Sequence, residues 1–186
     1  MNEWTTVRWA GFGGQGIVRA GEIMGAAALA DGKVALQNQS YGSSARGGLC
    51  TSDLAIGQGE IHEIEPDEFD VMVVLNQDSC DAFCGLLRPS GLLVYEQELV
   101  TVPASFAGLA YGVPATSIAA NDLGRRIVTN VVALGFCAAV STLIGRRALE
   151  DTIRSHAPRG TEQLNLQAFG AGWARGELAR SGAAKG

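Results

Sequence analysis

The spacing of apolar residues along the chain predicts strands that alternate with helices. Short apolar runs typical of buried strands occur at residues 7–10, 69–75, 92–95 and 109–113. After the first run the apolar residues switch to helical spacing, which predicts a helix that begins at about Gln15. That spacing is carried by Ile17, Ala20, Ile23, Met24, Ala27 and Ala28. The alternation favours an α/β protein with a Rossmann-like, open, mostly parallel sheet and flanking helices.

Polar–apolar alternation adds detail at one edge of this sheet. Residues 33–37 predict a second strand, which completes a βαβ unit with the first strand and helix. Residues 49–56 and 60–65 alternate on either side of Gly57-Gln58-Gly59, a pattern that predicts an edge β-hairpin. Pro89-Ser90-Gly91 predicts a turn that leads into the next strand.

The longest uncharged stretch, residues 127–145, lies between two arginine pairs. Its length would allow a membrane span, but interior hydroxyl and amide side chains argue against one. A helix that is apolar all round must be buried all round, so we expect it to pack on the sheet and against another subunit. Two helices follow, one ending near His156 and one at 163–179, and residues 181–186 are expected to fray.

A glycine-rich hexapeptide separates the first strand from the first helix. A tight turn there leaves backbone N–H groups at the positive end of a helix, which favours phosphate or another anion. The glycine spacing also fits dinucleotide-binding folds, although the glycines could instead serve only close packing of strand and helix. The predicted cofactor contacts in this turn are Gly11, Gly13, Gly14, Gln15 and Gly16.

A second glycine-rich segment, residues 40–48, is too polar to belong to the core. Such a loop is typically ordered by a ligand or partner, and its only cation, Arg46, suits a phosphate or a partner's carboxylate. The alternative is a surface loop with glycines at positive φ. The predicted contacts in this segment are Ser40, Tyr41, Gly42, Arg46, Gly47 and Gly48. Asn76 and Gln77 join them, because they follow a buried strand at the sheet edge where open α/β sheets bind ligands.

Composition limits the possible classes of function. The chain has 186 residues, which favours a single domain over 1–186, and its net charge of −5 gives no footprint for nucleic acid. Only 18% of the residues are charged and 25 are glycine, which suggests a domain buried against partners. No basic, apolar leader is visible, so we expect a cytoplasmic protein. The four cysteines lack a metal-type pair and are expected to be small buried thiols.

One omission argues against a free-standing nicotinamide enzyme. In a nicotinamide-binding Rossmann fold, an acidic residue near the end of the second strand holds the ribose. Here the end of that strand and the residues after it, 37–42, contain no carboxylate. An NAD(P)- or flavin-binding oxidoreductase is therefore disfavoured, though it stays an alternative, as does a purely structural assembly subunit.

Six motifs occur in a fixed order along the chain. They are the hexapeptide Gly11–Gly16, Ser40-Tyr41-Gly42 with Arg46-Gly47-Gly48, Asn76-Gln77, Pro89-Ser90-Gly91-Leu92-Leu93, Val113-Pro114-Ala115-Thr116, and Asn130 with Leu134-Gly135. In this order they resemble a known family, the gamma subunits or gamma domains of 2-oxoacid:ferredoxin (acceptor) oxidoreductases. The resemblance covers residues 11–145 and is weaker beyond them. Where many relatives carry an acidic residue before the Arg-Gly-Gly, this chain has Ser43-Ser44-Ala45.

The resemblance implies a multi-subunit enzyme that oxidatively decarboxylates pyruvate, 2-oxoglutarate, or a branched-chain or aryl 2-oxoacid to acyl-coenzyme A. It implies that thiamine diphosphate, Mg and 4Fe–4S clusters belong to alpha, beta and delta-type partner subunits. It also implies that the electron acceptor is ferredoxin or a flavin- or NAD-linked subunit. This chain has neither a Gly-Asp-Gly thiamine motif nor a cluster-type cysteine run. The resemblance therefore implies a subunit without catalytic residues that helps to bind coenzyme A and to assemble the complex.

Overall fold

The computed structural model describes residues 4–42, 48–59, 61 and 66–183. The strands are β1 (Trp4–Phe12), β2 (Val34–Tyr41), β3 (Leu49–Gly57), β4 (Phe69–Val74), β5 (Leu87–Glu96) and β6 (Leu109–Val113). The helices are α1 (Ile17–Ala30), α2 (Gln77–Phe83), α3 (Ala115–Ser117), α4 (Thr129–Ser141), α5 (Arg146–His156) and α6 (Glu162–Ala183).

All six strands belong to one sheet, in the order β2-β3-β1-β4-β5-β6. In the part of the sheet formed by β1, β4, β5 and β6, neighbouring strands are parallel, whereas β3 is antiparallel to both β1 and β2. Side chains of α1, α4, α5 and α6 share a hydrophobic core with one face, and Cys80 of α2 lies in a second core on the other. This open, mostly parallel sheet with flanking helices confirms the predicted fold class.

The antiparallel edge departs from the predicted strand pairing. β2 has the same direction as β1, but β3 lies between them, so β1, α1 and β2 are not an adjacent βαβ unit. β3 is not itself the edge strand, because it is buried on both faces, with side chains such as Leu54 and Ile56 in the core. The edge hairpin is formed by β2 and β3. Of its predicted second arm, residues 60 and 62–65 lie outside the described part of the chain.

Helix α4 occupies 13 residues of the uncharged stretch. A 3₁₀ turn at Arg126–Val128 precedes it, and Thr142 ends it in the left-handed conformation, with φ of 53°. Ten of its residues are buried. The chain itself supplies this cover, because α6 packs against α4 so closely that backbone meets backbone. The expectation that another subunit buries this helix is therefore wrong.

Two predicted boundaries also move. Pro89-Ser90-Gly91 lies within β5, where the pairing with β4 shifts register between Leu87 and Leu92 and thereby accommodates the extra residues. Helix α5 ends at His156, as predicted, whereas α6 continues through residues 181–183, which were expected to fray. Residues 184–186 lie outside the description. Within the described ranges, no helix combines the length and apolarity that crossing a membrane requires.

Candidate functional site

The glycine turn, residues 11–16, joins β1 to α1 at the carboxyl edge of the parallel strands. The backbone N–H of Gln15 donates to the carbonyl of Phe12 at 3.1 Å and closes the turn. Gly14 and Gly16 have φ values of 91° and 75°, in the left-handed region that favours glycine. No side chain caps α1, and its first turn contains no carboxylate. The partial positive charge at the N-terminus of α1 is therefore not neutralised by a side chain of the glycine turn or of the first helical turn.

Two of the glycines are required by packing. A β-carbon on Gly11 would lie 2.6 Å from Cδ1 of Ile17, and one on Gly16 would lie 2.4 Å from Nδ2 of Asn130. The Asn130 amide also donates to the carbonyl of Gly16 at 3.1 Å, which fixes the start of α1 against α4. For these two positions, the close-packing interpretation of the glycines is sufficient.

The other two glycines are not explained by packing. Among the described residues, the nearest atom to a β-carbon on Gly13 would be the carbonyl oxygen of Gly48, at 4.0 Å, and a β-carbon on Gly14 would meet nothing within 4 Å. Both residues are exposed. The φ of Gly14 alone favours glycine there, but Gly13 does not have a positive φ. Neither conformation nor crowding therefore accounts for glycine at position 13, and the backbone there is open to an approaching group.

The base of the second glycine-rich segment lies against this turn. The backbone N–H of Gly13 donates to the carbonyl of Gly48 at 3.2 Å, and Gly42 donates to Leu49 at 2.7 Å where β2 ends. Tyr41 is 64% exposed and lines a cleft together with Gly13. Of the other predicted contacts in this segment, Ser40 is exposed, and Arg46 and Gly47 lie outside the described residues.

The amide of Gln15 links the glycine turn to the end of β4. Its Oε1 accepts from the backbone N–H of Phe12 at 2.6 Å and from Nδ2 of Asn76 at 2.9 Å. Its Nε2 donates to the carbonyl of Leu75 at 3.2 Å. Asn76 in turn caps α2, since its Oδ1 accepts from the N–H of Ser79 at 2.8 Å. Both side chains thus fix the two turns that border the site.

Gln77 is engaged in the same way. Its Nε2 donates to Oδ1 of Asp81 at 2.7 Å, and its Oε1 accepts from the N–H of Thr101 at 2.8 Å. The structure therefore brings Gln15 and Asn76 to one edge with the glycine turn and gives all three predicted amides protein partners. Their direct contact with a ligand stays a prediction.

Three clefts converge on Gly14. The helix cleft, of about 250 Å³, lies among α1, α4, α5 and α6 and includes Ile23, Ile127, Val131, Ile153, Pro158 and Leu164. The strand cleft, of about 330 Å³, includes Phe12, Val18, Arg19, Glu22, Tyr41 and Cys50. The turn cleft, of about 180 Å³, includes Gln15, Leu99, Thr116, Arg126, Ile127 and Thr129. An exposed glycine backbone thus stands at the junction of one largely apolar and two mixed surfaces.

Sequence analysis missed two cations at this junction. Arg19 lines the helix and strand clefts, pairs with Glu22 at 3.0 Å and donates to the carbonyl of His156. Arg126 lines the turn cleft and is exposed. The signal for Arg19 was its place in the first turn of α1, immediately after the glycine turn. Arg126 was visible only as a flank of the uncharged stretch, and its distance in sequence concealed its proximity to Gly14.

A buried carboxylate also lies near the turn cleft. Glu96 is fully buried at the end of β5, where it accepts from the N–H and the hydroxyl of Thr116 at 2.7 and 3.0 Å and from the N–H of Glu98 at 3.2 Å. It holds the start of α3 in place, beside the cleft that Thr116 lines. The available signal was an acidic residue directly after an apolar strand.

The cysteines do not suit an iron–sulfur cluster. Only Cys80 and Cys84 are close, with 3.0 Å between their sulfurs, and the described residues contain no group of three or more potential metal ligands. Burial raises the pKa of Cys137 to about 12, and burial followed by the neighbouring Cys80 raises the pKa of Cys84. A raised pKa disfavours the reactive thiolate, which suits thiols that serve packing in the core.

Similar proteins have the same architecture. The 2-oxoglutarate synthase subunit KorC of Methanocaldococcus jannaschii is 36% identical over 170 residues, which cover 90% of this chain and 91% of the relative. The crystal structure of a keto/oxoacid ferredoxin oxidoreductase gamma subunit from Geobacter sulfurreducens is 35% identical, with a TM-score of 0.84 over 94% of this chain and 99% of that one. These relatives and the fold define a gamma-type subunit of 2-oxoacid:ferredoxin oxidoreductases, which confirms the resemblance seen in the sequence.

The family match covers most of the chain. Residues 6–175 match the family described as pyruvate ferredoxin/flavodoxin oxidoreductase, and the chain belongs to this family. Its members are subunits of enzymes whose reaction is the oxidative decarboxylation of a 2-oxoacid with coenzyme A. A 2-oxoglutarate:ferredoxin oxidoreductase from Magnetococcus marinus shares the fold at 21% identity, with a TM-score of 0.85 over 96% of this chain and 32% of that one.

Proposed function

We propose that this chain binds a phosphate group of coenzyme A at its glycine turn and helps to assemble a 2-oxoacid oxidoreductase complex. In this proposal the alpha, beta and delta-type partners hold thiamine diphosphate, Mg and the 4Fe–4S clusters, and they pass electrons to ferredoxin or to a flavin- or NAD-linked subunit. Coenzyme A accepts the acyl group in that reaction. The role of this chain is to position the co-substrate.

The observation that carries the proposal is the open backbone at Gly13. A β-carbon there would meet no atom of the described residues closer than 4.0 Å, and the backbone has no positive φ that would require glycine. A glycine kept at such a position fits a backbone that a ligand approaches closely. The adjacent start of α1 supplies a positive helix end, which is a favourable place for phosphate.

The surroundings fit a nucleotide-like co-substrate. Arg19 provides a guanidinium at the border of the helix and strand clefts. The helix cleft adds an apolar surface of a size that suits a small planar group. The fold neighbour from Magnetococcus marinus has coenzyme A bound, so this fold occurs in an enzyme that uses the same co-substrate.

Substituting Gly13 with alanine tests the proposal. The described residues leave room for the methyl group, so we expect the melting temperature of the complex to stay unchanged. If phosphate contacts this backbone, the methyl group obstructs it, and the KM for coenzyme A should rise about tenfold, equivalent to about 1.4 kcal/mol. The measurement is steady-state kinetics with coenzyme A varied at saturating 2-oxoacid.

Gly85→Ala is the matched control, because Gly85 is also exposed, also lacks a positive φ and has no atom within 4 Å of a β-carbon. It lies at the other end of α2 and should leave the KM unchanged. Gly14→Ala is less informative, since its φ of 91° would strain any other residue. A Gly13→Ala complex with wild-type KM for coenzyme A would leave only the assembly role.

The strand order disfavours the nicotinamide alternative. In a dinucleotide-binding Rossmann fold, the strand beside β1 is parallel to it and carries the ribose-binding carboxylate at its end. Here β4 is the parallel neighbour of β1 on one side, and the place of that strand on the other side is taken by the antiparallel β3, whose first residue, Leu49, pairs with Phe12. We expect a complex that contains no flavin subunit not to bind NAD(P)H, and a fluorescence titration of that complex measures this.

A further inference from the structure

Two apolar side chains project into solvent beside the proposed coenzyme A site. Ile127 is 85% exposed and Leu99 is 48% exposed, and both line the turn cleft with Gly14. Ile127 also lines the helix cleft, so it stands on the ridge between the two. We call Leu99, Arg125, Arg126 and Ile127 the edge patch.

The local structure explains why Ile127 is exposed. The 3₁₀ turn Arg126–Val128 leads into α4, and its last residue, Val128, is buried with the residues that follow. In such a tight turn, successive side chains point in different directions, so burying Val128 directs Ile127 outward. A β-branched apolar side chain has few rotamers to lose, and covering it removes apolar surface from water at little entropic cost.

Two guanidinium groups flank this apolar ridge. Arg125 and Arg126 are both exposed, and neither takes part in an ion pair between described residues. The nearby acidic residue Glu98 is engaged by the Ser117 hydroxyl, at 2.7 Å from each carboxylate oxygen. In a chain with a net charge of −5, the edge patch therefore combines an apolar centre with two adjacent cations.

We infer that the edge patch is the contact surface for a partner subunit that presents an apolar pocket rimmed by carboxylates. The inference rests on the proposed function, because the partner that covers this patch also closes the turn cleft over Gly14. Charge complementarity identifies the chemistry of the partner surface: carboxylates would pair with Arg125 and Arg126 while an apolar pocket receives Ile127. A buried apolar anchor with a charged rim is the usual arrangement of interface hot spots.

The test uses the whole complex, purified through a tag on this chain and diluted stepwise until half of it has dissociated. Ile127→Asp should raise that half-dissociation concentration about tenfold or more. Leu178→Asp is the matched control, since Leu178 is 67% exposed on α6 and lies outside the three clefts; it should change the concentration less than about twofold. Mass photometry gives the species at each dilution, and circular dichroism of each isolated variant shows that it is folded.

Charge variants test the stated chemistry of the partner. Arg126→Glu should weaken the complex about tenfold at low salt and less at high salt, whereas Arg126→Lys should stay within about threefold of wild type. An Ile127→Asp complex as stable as wild type would overturn the inference. So would loss of self-association of the isolated chain in Ile127→Asp, because the occupant would then be a second copy. If Ile127→Asp weakens the complex but Gly13→Ala leaves the KM for coenzyme A unchanged, this inference stands and the proposed coenzyme A role is removed.

Discussion

At the scale of single residues, the site depends on one amide. Gln15 joins the β1–α1 turn to the β4–α2 turn through Phe12, Leu75 and Asn76. From β1 the chain crosses through α1 toward β2, and from β4 it crosses through α2 toward β5, on the opposite face. The amide thus bridges the point where the sheet changes winding direction, which is where ligands bind in open α/β folds.

Replacing Gln15 with glutamate should reveal this bridging role. The carboxylate can still accept from Phe12 and Asn76, but it loses the donor to the Leu75 carbonyl and places negative charge beside that oxygen. We expect the free energy of unfolding to fall by about 1–3 kcal/mol, together with a raised KM for coenzyme A. Urea denaturation of the isolated chain and steady-state kinetics of the complex measure the two effects.

Gln58→Glu makes the same chemical change at an exposed position at the end of β3, on the opposite edge of the sheet, and should leave both quantities unchanged. If Gln15→Glu were as stable as wild type, the turn would be held by its backbone alone.

Sequence pattern predicted the turns that border the candidate site but not the surroundings of each residue in them. The glycine spacing identified the turn because positive φ at Gly14 and Gly16 is a local backbone requirement. It could not separate Gly16, which is crowded by Asn130, from the open Gly13, because that difference arises from a residue more than a hundred positions away. Arg126 was missed for the same reason.

At the scale of elements, the close approach of α4 and α6 determines what the C-terminal helix does. A β-carbon on Gly135 would lie 2.1 Å from the carbonyl oxygen of Phe169, and one on Gly172 would lie 1.9 Å from that of Val132. Small residues therefore let two backbones meet, and the apolar side chains of α4 become buried within one chain. By contrast, a β-carbon on Gly170, only two residues from Gly172, would meet nothing within 4 Å.

Alanine substitutions at these two positions of α6 should have opposite effects. Gly170→Ala should stabilise the isolated chain by about 0.5–1 kcal/mol, since alanine is the better helix former and space is available. Gly172→Ala should destabilise it by about 3 kcal/mol or more, because the methyl group would overlap a backbone carbonyl that cannot rotate away. Chemical denaturation gives both values. Equal stabilisation by the two substitutions would mean that α6 does not pack on α4 as described.

The sequence predicted the elements better than their partners. The apolar run of β4 and the helical spacing of α1 are local signals, and both elements appear at nearly the predicted positions. β3 was placed at the edge because its pattern continues into an alternating segment, yet β2 and β1 flank it on both sides. Burial of α4 was correctly inferred, but periodicity carries no information on which chain provides the cover.

At the scale of the whole molecule, the two halves of the sheet differ in how firmly they are held. β1 and β4 are central strands with a neighbour on each side, whereas β2, among the described strands, pairs with β3 alone and exposes five of its eight residues. An edge strand with few buried contacts opens more easily than the centre of a sheet.

We therefore expect the amides of β2 to exchange with deuterium well before those of β1 and β4. The comparison should use only amides that donate to a neighbouring strand, so that solvent-facing groups do not bias the result. Exchange followed by mass spectrometry on the isolated chain and on the complex is the measurement. Protection of β2 equal to that of β4 in the isolated chain would contradict this view, and added protection in the complex would mark the edge as covered by a partner.

The position of β3 between β2 and β1 also sets an order of events during synthesis. Because β1 and β2 do not pair with each other, β2 can join the sheet only after β3, which lies between them, has been synthesised. The partners of Gln15 at Leu75 and Asn76 come later still, 60 and 61 residues further along. The glycine turn can therefore complete its hydrogen bonds only after the end of β4 has been synthesised.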